Sequence, residues 1–437
     1  MILDRINGPK DLKTLNAAER KELAQEIRQA MLKRASIHGG HFGPDFGIVE
    51  ATIALHTVFD SPKDKIVWDV SHQVYPHKIL TGRKQAYLEE EHYDDVSGYS
   101  NPAESEHDFF EVGHTSTSIS LASGLAMARD LRGGHENIIA VIGDGSMSGG
   151  EALEGLDTVG EMGTNMIIVL NDNQMSIAEV HGGMYKGFEE LRRTGGKSEH
   201  NLFRAMGLDY RFVADGNDSE ALIKTFREVK DIDHPVVVHI VTQKGKGYKF
   251  AEENKESWHW HMPFDIETGE VKQPYVDEAA ELTATYLLDR LKTDKKLAIL
   301  TAATPASFGF TPERRKQAGK QFIDVGIAEE QAVAMASGLA KGGARPVFGD
   351  DATFFQRTYD QISQDVCINN NPAVFLVFGA SMYSMNDVTH LCIFDIPMMA
   401  NIPNLVYLAP VSLAEYKAML AWALDQTDHP VAIRVPV

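Results

Sequence analysis

Two short polar clusters, each directly after an apolar run, most constrain the fold of this chain. Gly143-Asp144-Gly145 follows the run that ends at Ile142, and Asn171-Asp172-Asn173 follows the run that ends at Leu170. Glu151–Met162 between them has helical spacing, which predicts a β-α-β unit with two buried parallel strands. Because parallel strands end at the same edge of a sheet, both clusters are expected there, where open α/β sheets bind ligands.

The two clusters carry the chemical groups that hold a metal-bound diphosphate. A Gly-Asp-Gly turn exposes backbone N–H groups to phosphate oxygens. The carboxylate of Asp144 and the amide oxygen of Asn173 are the hard ligands that Mg²⁺ or Ca²⁺ prefers. The alternative is that both clusters are ordinary turns that cap strands. Their shared placement at the ends of two neighbouring strands favours the ligand site.

Strand-like and helical segments alternate along the whole chain, which predicts an α/β protein with two open parallel sheets and helices on both faces. We expect a first domain over residues 1–265, a linker over 266–290 and a second domain over 291–437. The predicted strands are Lys65–Val70, Ile138–Ile142, Met166–Leu170 and Pro235–Val241 in the first domain, and Leu297–Leu300, Arg345–Phe348, Ala373–Phe378, Leu405–Leu408 and Val431–Val435 in the second.

Composition excludes several classes of function. The 437 residues carry 42 basic and 62 acidic side chains, so the net charge is 42 − 62 = −20. This balance argues against nonspecific binding to nucleic acid or to anionic membranes. No apolar run approaches the ~20 residues that span a bilayer, and no signal peptide is recognisable, so a cytoplasmic protein is expected. The only cysteines, Cys367 and Cys392, are predicted to be buried thiols.

The pair of polar clusters resembles the thiamine diphosphate motif of the transketolase superfamily. Longer strings resemble one family within it, the 1-deoxy-D-xylulose-5-phosphate synthases. The resemblance runs from Leu3 to the last residue. The strings that carry it are Trp68–Arg83, Gly113–Ser120, Asn173–Ile177, Lys244–Tyr248, Ile327–Glu329 and Thr353–Gln361.

The resemblance implies thiamine diphosphate and Mg²⁺ as cofactors. Asp144 and Asn173 would hold the metal through their side chains and Met175 through its carbonyl. The short Gly, Ser and Thr residues at the diphosphate positions let backbone and hydroxyl donors approach phosphate closely. The remaining positions that the resemblance places against the cofactor are His72, Gly113, His114, Thr115, Gly145, Ser146, Asn173, Tyr248, Glu329 and Phe354.

The resemblance also implies the catalytic groups. Glu329 would bind the aminopyrimidine ring and favour the tautomer in which the exocyclic amine acts as a base. Without the resemblance, Glu329 would be interpreted as a carboxylate stabilised by a helix N-terminus. Histidines that shuttle protons near the reacting carbons would be His41, His72, His259 and His390.

Several positions depart from the family pattern. Synthases of this family usually carry Arg at Gly379, Tyr at Asp351, Asp at Asn386 and a second Arg at Val437. The two arginines are expected to grip the phosphate of glyceraldehyde 3-phosphate, because a guanidinium forms paired charge-assisted hydrogen bonds with phosphate. Arg357 is the basic side chain that remains as a candidate for this role, although a surface ion pair is an equally good interpretation.

The chain is also shorter than is usual for the family between Gly182 and Asn201, and the transketolase-type third domain is expected to be absent after Val437. In relatives the third domain contributes to dimer contacts, and the resemblance implies a homodimer. The substrates implied are small molecules, pyruvate and an aldehyde acceptor. The product would serve isoprenoid and thiamine biosynthesis.

Three functions stay open on the sequence. The first is condensation of pyruvate, with decarboxylation, and D-glyceraldehyde 3-phosphate to 1-deoxy-D-xylulose 5-phosphate. The second keeps the cofactor but uses another, possibly non-phosphorylated acceptor, in a transketolase-like or acyloin-forming reaction. The third is a non-catalytic protein that binds the cofactor. Retention of Asp144, Asn173, Glu329 and His72 together argues against the third.

Overall fold

The computed structural model describes residues 1–381 and 388–435. It divides the chain into two compact units, Met1–Pro274 and Tyr275–Val437. The division therefore falls inside the segment predicted as a linker, and a helix over Glu278–Leu291 occupies most of the rest of that segment.

The first unit is built on a five-stranded parallel sheet. Its strands are β1 (Lys65–Trp68), β2 (Ile138–Gly143), β3 (Met166–Asp172), β4 (Asp209–Val213) and β5 (Pro235–Val241), in the order β1-β2-β3-β5-β4. β2 and β3 are neighbours, with Gly143 opposite Asn171. A separate two-stranded antiparallel ribbon pairs Gly40–His41 with Trp260–His261.

Alternate side chains of this sheet enter two different cores, so both of its faces are covered. Ile139 and Val141 pack with residues of the helices Val49–Val58 and Ser219–Val229. Ile138 and Ala140 point to the other face and pack with residues of Ser118–Leu131 and Gly150–Met162. The other α-helices of the unit are Pro9–Leu12, Ala17–His38, Gly43–Gly47, Tyr75–Lys78, Gln85–Leu88, Met184–Arg193, Leu202–Ala205 and Lys249–Glu253.

The second unit has a six-stranded parallel sheet, again with a core on each face. The strands are β6 (Leu297–Thr301), β7 (Phe322–Asp324), β8 (Arg345–Asp351), β9 (Val374–Phe378), β10 (Val406–Leu408) and β11 (Val431–Arg434), in the order β10-β11-β9-β8-β6-β7. The α-helices are Glu278–Leu291, Pro312–Ala318, Glu329–Lys341, Tyr359–Gln361, Asp395–Met399 and Leu413–Asp425.

The predicted fold class is thus confirmed: each unit holds one open parallel sheet with helices on both faces. All nine predicted strands are present, with ends shifted by up to three residues. Two strands of the parallel sheets, β4 and β7, and the two short strands of the antiparallel ribbon were not predicted. Among the helices that the structure describes, none is long and apolar enough to cross a bilayer.

Candidate active site

In the first unit, the turn after β2 and the loop after β3 meet through Asp144. The backbone N–H of Asp144 donates to the Asn171 carbonyl at 3.1 Å, and its Oδ2 accepts from the Gln174 N–H at 2.8 Å. Its Oδ1 is buried and receives no hydrogen bond from the residues that the structure describes. Asn173, also buried, accepts from the Met175 N–H through Oδ1 at 3.1 Å. A buried carboxylate oxygen that lacks a donor among the described residues, together with the Asn173 amide oxygen in the loop after β3, fits a hard divalent cation.

The charges at the carboxyl ends of β2 and β3 also favour binding of a cation. Burial and the neighbouring Asp172 carboxylate raise the pKa of Asp144 well above its usual value. Asp172 is itself buried, but hydrogen bonds from His239, at 2.8 Å, and from Arg192 overcome the effect of burial and lower its pKa. Asp172 therefore carries a negative charge beside Asp144, and a bound cation would offset the repulsion between them.

The loop before the helix Ser118–Leu131 packs closely against the turn that follows Asp144. The Asp69 carboxylate accepts from the N–H groups of Ser116 and Ser118 at 2.8 and 3.0 Å, which fixes the loop that contains Gly113, His114 and Thr115. Ser116 Oγ donates to the Ser146 carbonyl at 2.7 Å, so this loop is tied directly to the Gly145–Ser148 turn.

Two glycines permit close contacts of this turn, one with the Ser116 loop and one with the loop after β3. A Cβ on Gly149 would lie 2.1 Å from Ser116 Oγ, and a Cβ on Gly145 would lie 3.0 Å from the Cα of Ser176. Gly145 and Ser146 are buried, whereas His114 and Thr115 are half-buried. The predicted diphosphate residues thus come together in two tightly joined loops next to Asp144.

Three of the four predicted histidines form one cluster in the first unit. The ring centroids of His41 and His72 are 4.8 Å apart, and that of His259 lies 5.0 Å from His72 and 5.8 Å from His41. All three residues are half-buried, so the cluster does not belong to the fully buried core. Burial and the Lys244 charge lower the pKa of His259 well below its usual value, which keeps this ring neutral near pH 7.

Tyr248 lies beside this cluster in an aromatic core. Its ring packs against Phe42 and Trp258 at 5.4 and 5.0 Å between centroids, and its hydroxyl donates to the Ile266 carbonyl at 2.9 Å. Phe42 is the chain neighbour of His41, so Tyr248 stabilises the histidine loop. Contact between Tyr248 and the cofactor stays a prediction.

In the second unit, Glu329 is the first residue of the helix Glu329–Lys341. Its carboxyl is buried, and Oε2 lies 3.9 Å from the Arg357 guanidinium, too far for a hydrogen bond. Burial raises the pKa of Glu329 to about 7, although Arg357 opposes the rise. The helix N-terminus and Arg357 therefore do not compensate for the loss of solvent, and the carboxyl is partly protonated at neutral pH.

A second pair of carboxyl groups ends strand β8. Asp350 is fully buried, and its Oδ1 accepts from the Thr304 hydroxyl at 2.7 Å; burial, Glu329 and Asp351 raise its pKa well above the usual value. Asp351 accepts from the Ser307 hydroxyl through Oδ2 at 2.8 Å. This end of the sheet consequently brings three carboxyl groups together, with Arg357 as a nearby cation.

The remaining predicted residues of the second unit lie near these carboxyls. The rings of Phe354 and His390 meet edge to face with centroids 5.8 Å apart, and His390 interacts electrostatically with Asp351. Gly379, where the family usually carries Arg, has a φ of 64°, in the left-handed region that favours glycine. Asn386 and Val437, the other two departures, lie outside the described residues.

Three side chains near Asp144 were not predicted from the sequence. The segment between Gly182 and Asn201 contains the helix Met184–Arg193, and Tyr185 on this helix donates to the Asp144 and Gly145 carbonyls at 3.0 and 3.3 Å. Arg192, on the same helix, is the cation that pairs with Asp172. Lys244 is fully buried and donates to the Ser176 carbonyl at 2.6 Å.

Two open parallel sheets with these groups at their strand ends define a transketolase-like α/β protein. A family model described as 1-deoxy-D-xylulose-5-phosphate synthase matches residues 3–198 and 194–242, and one described as transketolase, pyrimidine binding domain, matches 280–437. Together with relatives that are about 40% identical over the whole chain, these matches show that the chain belongs to the 1-deoxy-D-xylulose-5-phosphate synthase family.

The curated relatives are bacterial proteins named 1-deoxy-D-xylulose-5-phosphate synthase. That of Clostridium kluyveri is 38% identical over 471 residues, covering all of this chain and 75% of the relative. That of Desulfitobacterium hafniense is 41% identical over 472 residues, covering all of this chain and 74% of the relative. Among solved structures, the transketolase of Campylobacter jejuni is 17% identical with a TM-score of 0.47, covering 96% of this chain and 78% of that one.

The alignments also concern the segment from Gly182 to Asn201, which was expected to be shorter than in the family. The alignment with the Clostridium kluyveri relative spans 471 positions against 437 residues, so this relative carries about 34 (471 − 437) residues that the chain lacks. The two segments matched by the first family model meet at residues 194–198, inside the stretch from Gly182 to Asn201.

Proposed function

We propose that the protein is a thiamine-diphosphate-dependent transferase that decarboxylates pyruvate and joins the remaining two-carbon unit to D-glyceraldehyde 3-phosphate. The product would be 1-deoxy-D-xylulose 5-phosphate, a precursor for isoprenoid and thiamine biosynthesis. The observation that carries the proposal is family membership across both units, together with the buried carboxylate oxygen of Asp144 that receives no hydrogen bond from the described residues.

In this proposal the first unit holds the charged end of the cofactor. Asp144, Asn173 and the Met175 carbonyl would bind Mg²⁺, because hard oxygen ligands suit this ion. The loop from Gly113 to Thr115 and the turn at Gly145-Ser146 would supply N–H and hydroxyl donors to the diphosphate. The tight contact between these two loops supports their shared role, since it lets both approach one anionic group.

In the second unit Glu329 would contact the aminopyrimidine. A carboxyl whose pKa is about 7 is partly protonated at neutral pH and can donate a hydrogen bond to a ring nitrogen. Phe354 would pack near the same ring. Thiamine diphosphate, when bound, supplies the carbon nucleophile that adds to a keto group and accepts the electron pair released with carbon dioxide.

The histidines would handle the protons of the substrates. His259 is held neutral by burial and by the Lys244 charge, so it would act on a substrate oxygen through a hydrogen bond from an uncharged ring. His41 and His72 lie within 6 Å of it, ring centre to ring centre, and all three residues are half-buried. His390 would act beside Phe354 in the second unit.

One observation favours a second candidate, the same chemistry with an acceptor that lacks a phosphate. Asp350 and Asp351 join Glu329 at the end of β8, where the family pattern leads us to expect a phosphate-binding region. Any of these carboxyls that is ionised would repel a phosphate dianion, and Gly379 offers no second guanidinium beside Arg357 to offset that repulsion. A neutral aldehyde would avoid this cost and could accept hydrogen bonds from a protonated carboxyl.

The decisive experiment measures products and carbon dioxide release. The protein is incubated with Mg²⁺, thiamine diphosphate and pyruvate, and with either glyceraldehyde 3-phosphate or glyceraldehyde. The main proposal expects release that depends on the phosphorylated aldehyde, with 1-deoxy-D-xylulose 5-phosphate as the product. Release with the plain aldehyde alone would replace it with the second candidate. Cofactor binding without turnover on either aldehyde would overturn both and leave the non-catalytic protein.

Matched variants connect the activity to the site. Glu329→Gln is expected to lose most activity, because an amide cannot give up a proton to the ring nitrogen as a carboxyl can. Glu330→Gln, which removes a carboxyl from the same turn of the helix, is expected to retain it. A homodimer and a cytoplasmic location also belong to the proposal, and sedimentation at several protein concentrations would test the former.

A further inference from the structure

The side chain of Lys244 crosses the interior of the first unit and ends between two functional loops. Its Nζ donates to the Ser176 carbonyl at 2.6 Å and lies 3.1 Å from Nδ1 of His259. Ser176 belongs to the loop that carries Asn173, and His259 belongs to the histidine cluster. One buried cation therefore joins the candidate metal loop to a candidate catalytic ring.

The surrounding backbone holds Lys244 in this position. A Cβ on Gly43 would lie 3.0 Å from Lys244 Cγ and 3.0 Å from the Trp258 carbonyl, so the stem of the lysine passes where only a glycine leaves room. The Gly245 N–H donates to the Gly43 carbonyl at 2.9 Å, and the Gly43 N–H donates to Trp258 at 2.8 Å. Lys244 is 1% exposed, so it has little freedom to turn towards solvent.

The chemistry of this contact selects one form of the imidazole. An ammonium group has three donors and no acceptor, so the ring nitrogen that faces it must present a lone pair. We propose that Lys244 is a positioning residue that fixes His259 as the neutral tautomer with its proton on Nε2. Nδ1 then accepts from the ammonium, and the Nε2–H is the group that His259 offers to a ligand.

This assignment gives His259 a specific part in the reaction, and that part rests on the proposed function. A neutral ring with a fixed Nε2–H can donate to a keto or carboxylate oxygen of the donor substrate as negative charge develops there. Without Lys244 the two neutral tautomers would compete, and some molecules would present a lone pair to the same oxygen. The tautomer itself can be measured on the protein without cofactor, so it stands or falls separately from the activity.

In the alternative arrangement, His259 Nδ1 is the donor and the Lys244 amine is the acceptor. A neutral Lys244 amine could accept a hydrogen bond from Nδ1–H and still donate to Ser176. Burial lowers the pKa of Lys244 to about 7, whereas the interaction with the Asp144 carboxyl opposes that change. Burial, followed by the charge of Lys244, lowers the pKa of His259 well below its usual value. At about pH 6 the lysine is therefore charged while the imidazole is neutral.

The test is ¹⁵N NMR of the full chain with ¹⁵N-labelled histidine, without cofactor, at about pH 6. The His259 signals are assigned by their loss in His259→Gln. The proposal expects Nδ1 at the shift of a nitrogen with a lone pair and Nε2 at that of a protonated nitrogen. Two protonated nitrogens, or a proton on Nδ1 alone, would overturn it. This result needs no lysine variant and so does not depend on whether one folds.

Variants then test whether Lys244 is the cause. Lys244→Met keeps the length of the stem but removes the donors, and both His259 nitrogens are expected to move towards the averaged shifts of a mixed tautomer. Lys246→Met, in the same Gly-Lys-Gly loop, is expected to leave both signals unchanged. An unchanged Nε2–H signal in a folded Lys244→Met protein would show that another contact selects the tautomer and would refute the assignment.

Discussion

Replacing Glu329 by Gln is expected to change the pH dependence of folding in a predictable direction. The Glu329 carboxyl is 2% exposed, and its Oε2 lacks a hydrogen-bond donor among the described residues. Burial raises its pKa from 4.5 to about 7. The folded state thus binds a proton on this group more tightly than the unfolded state, so ionisation of Glu329 destabilises the fold. Gln has nearly the same shape and no ionisable proton.

The size of the effect follows from the two pKa values. One pKa unit corresponds to about 1.4 kcal/mol, so a rise from 4.5 to about 7 amounts to roughly 3 kcal/mol above pH 7. Because the folded pKa is raised, the stabilising contribution of protonation is complete below about pH 4.5 and is lost as the pH rises through 7. Between about pH 5 and pH 8 the wild type should therefore lose roughly 2 to 3 kcal/mol relative to Glu329→Gln.

Urea unfolding of the protein without cofactor, at a series of pH values, measures this difference directly. Effects of other titrating groups cancel when the two proteins are compared at each pH, apart from the interaction of Glu329 with Asp350, which the substitution also removes. Glu330→Gln is the control for loss of one charge from the same helix. If the curves for wild type and Glu329→Gln stay parallel from pH 5 to pH 8, then burial does not control the ionisation of Glu329.

Two further substitutions probe the first unit. Asp144→Asn is expected to weaken magnesium-dependent uptake of thiamine diphosphate by at least about 10-fold in calorimetry, because it removes a charged ligand, whereas exposed Asp157→Asn should bind normally. Equal affinity in both would exclude Asp144 as a ligand. Gly149→Ala is expected to cost about 1 to 3 kcal/mol in thermal or urea unfolding, because its Cβ would overlap Ser116 Oγ, whereas Gly150→Ala, with open space around its Cβ, should be close to neutral. Equal stability of the two alanine variants would contradict the close packing of the two loops.

The predicted strands are those that carry continuous apolar runs, and the missed ones lie at sheet edges. β3 reads Met-Ile-Ile-Val-Leu and is buried along its whole length, as expected for a central strand of a parallel sheet. β4 reads Asp-Tyr-Arg-Phe-Val and buries only two of its five residues. β7 has three residues, all half-buried. An edge strand needs fewer apolar residues because one side lacks a partner strand, so its pattern resembles that of a loop.

The candidate metal ligands could be predicted because their proximity follows from topology. Consecutive parallel strands in one sheet end at the same edge, so Asp144 and the Asn173 loop had to lie close together once β2 and β3 were neighbours. The groups that set their ionisation could not be predicted in this way. Arg192 and His239 reach Asp172 from separate segments, and Lys244 reaches Ser176 from 68 residues away. Sequence gives no signal that the first lysine of the Lys-Gly-Lys-Gly loop turns inwards.

Burial from solvent affects two carboxyl groups of this chain, with a different expected consequence for each. Burial raises the pKa of both Asp144 and Glu329, but the neighbours of the two carboxyls differ. Asp144 interacts with the ionised Asp172, so in the proposed site a divalent cation would restore its negative charge. Glu329 lies 3.9 Å from Arg357 and beside Asp350, whose carboxyl is also buried, so its proton is retained near neutral pH and is available to a ring nitrogen. The sequence predicts a cofactor site at both carboxyls, but in the proposed function only their surroundings decide which one would act as an anion and which one as an acid.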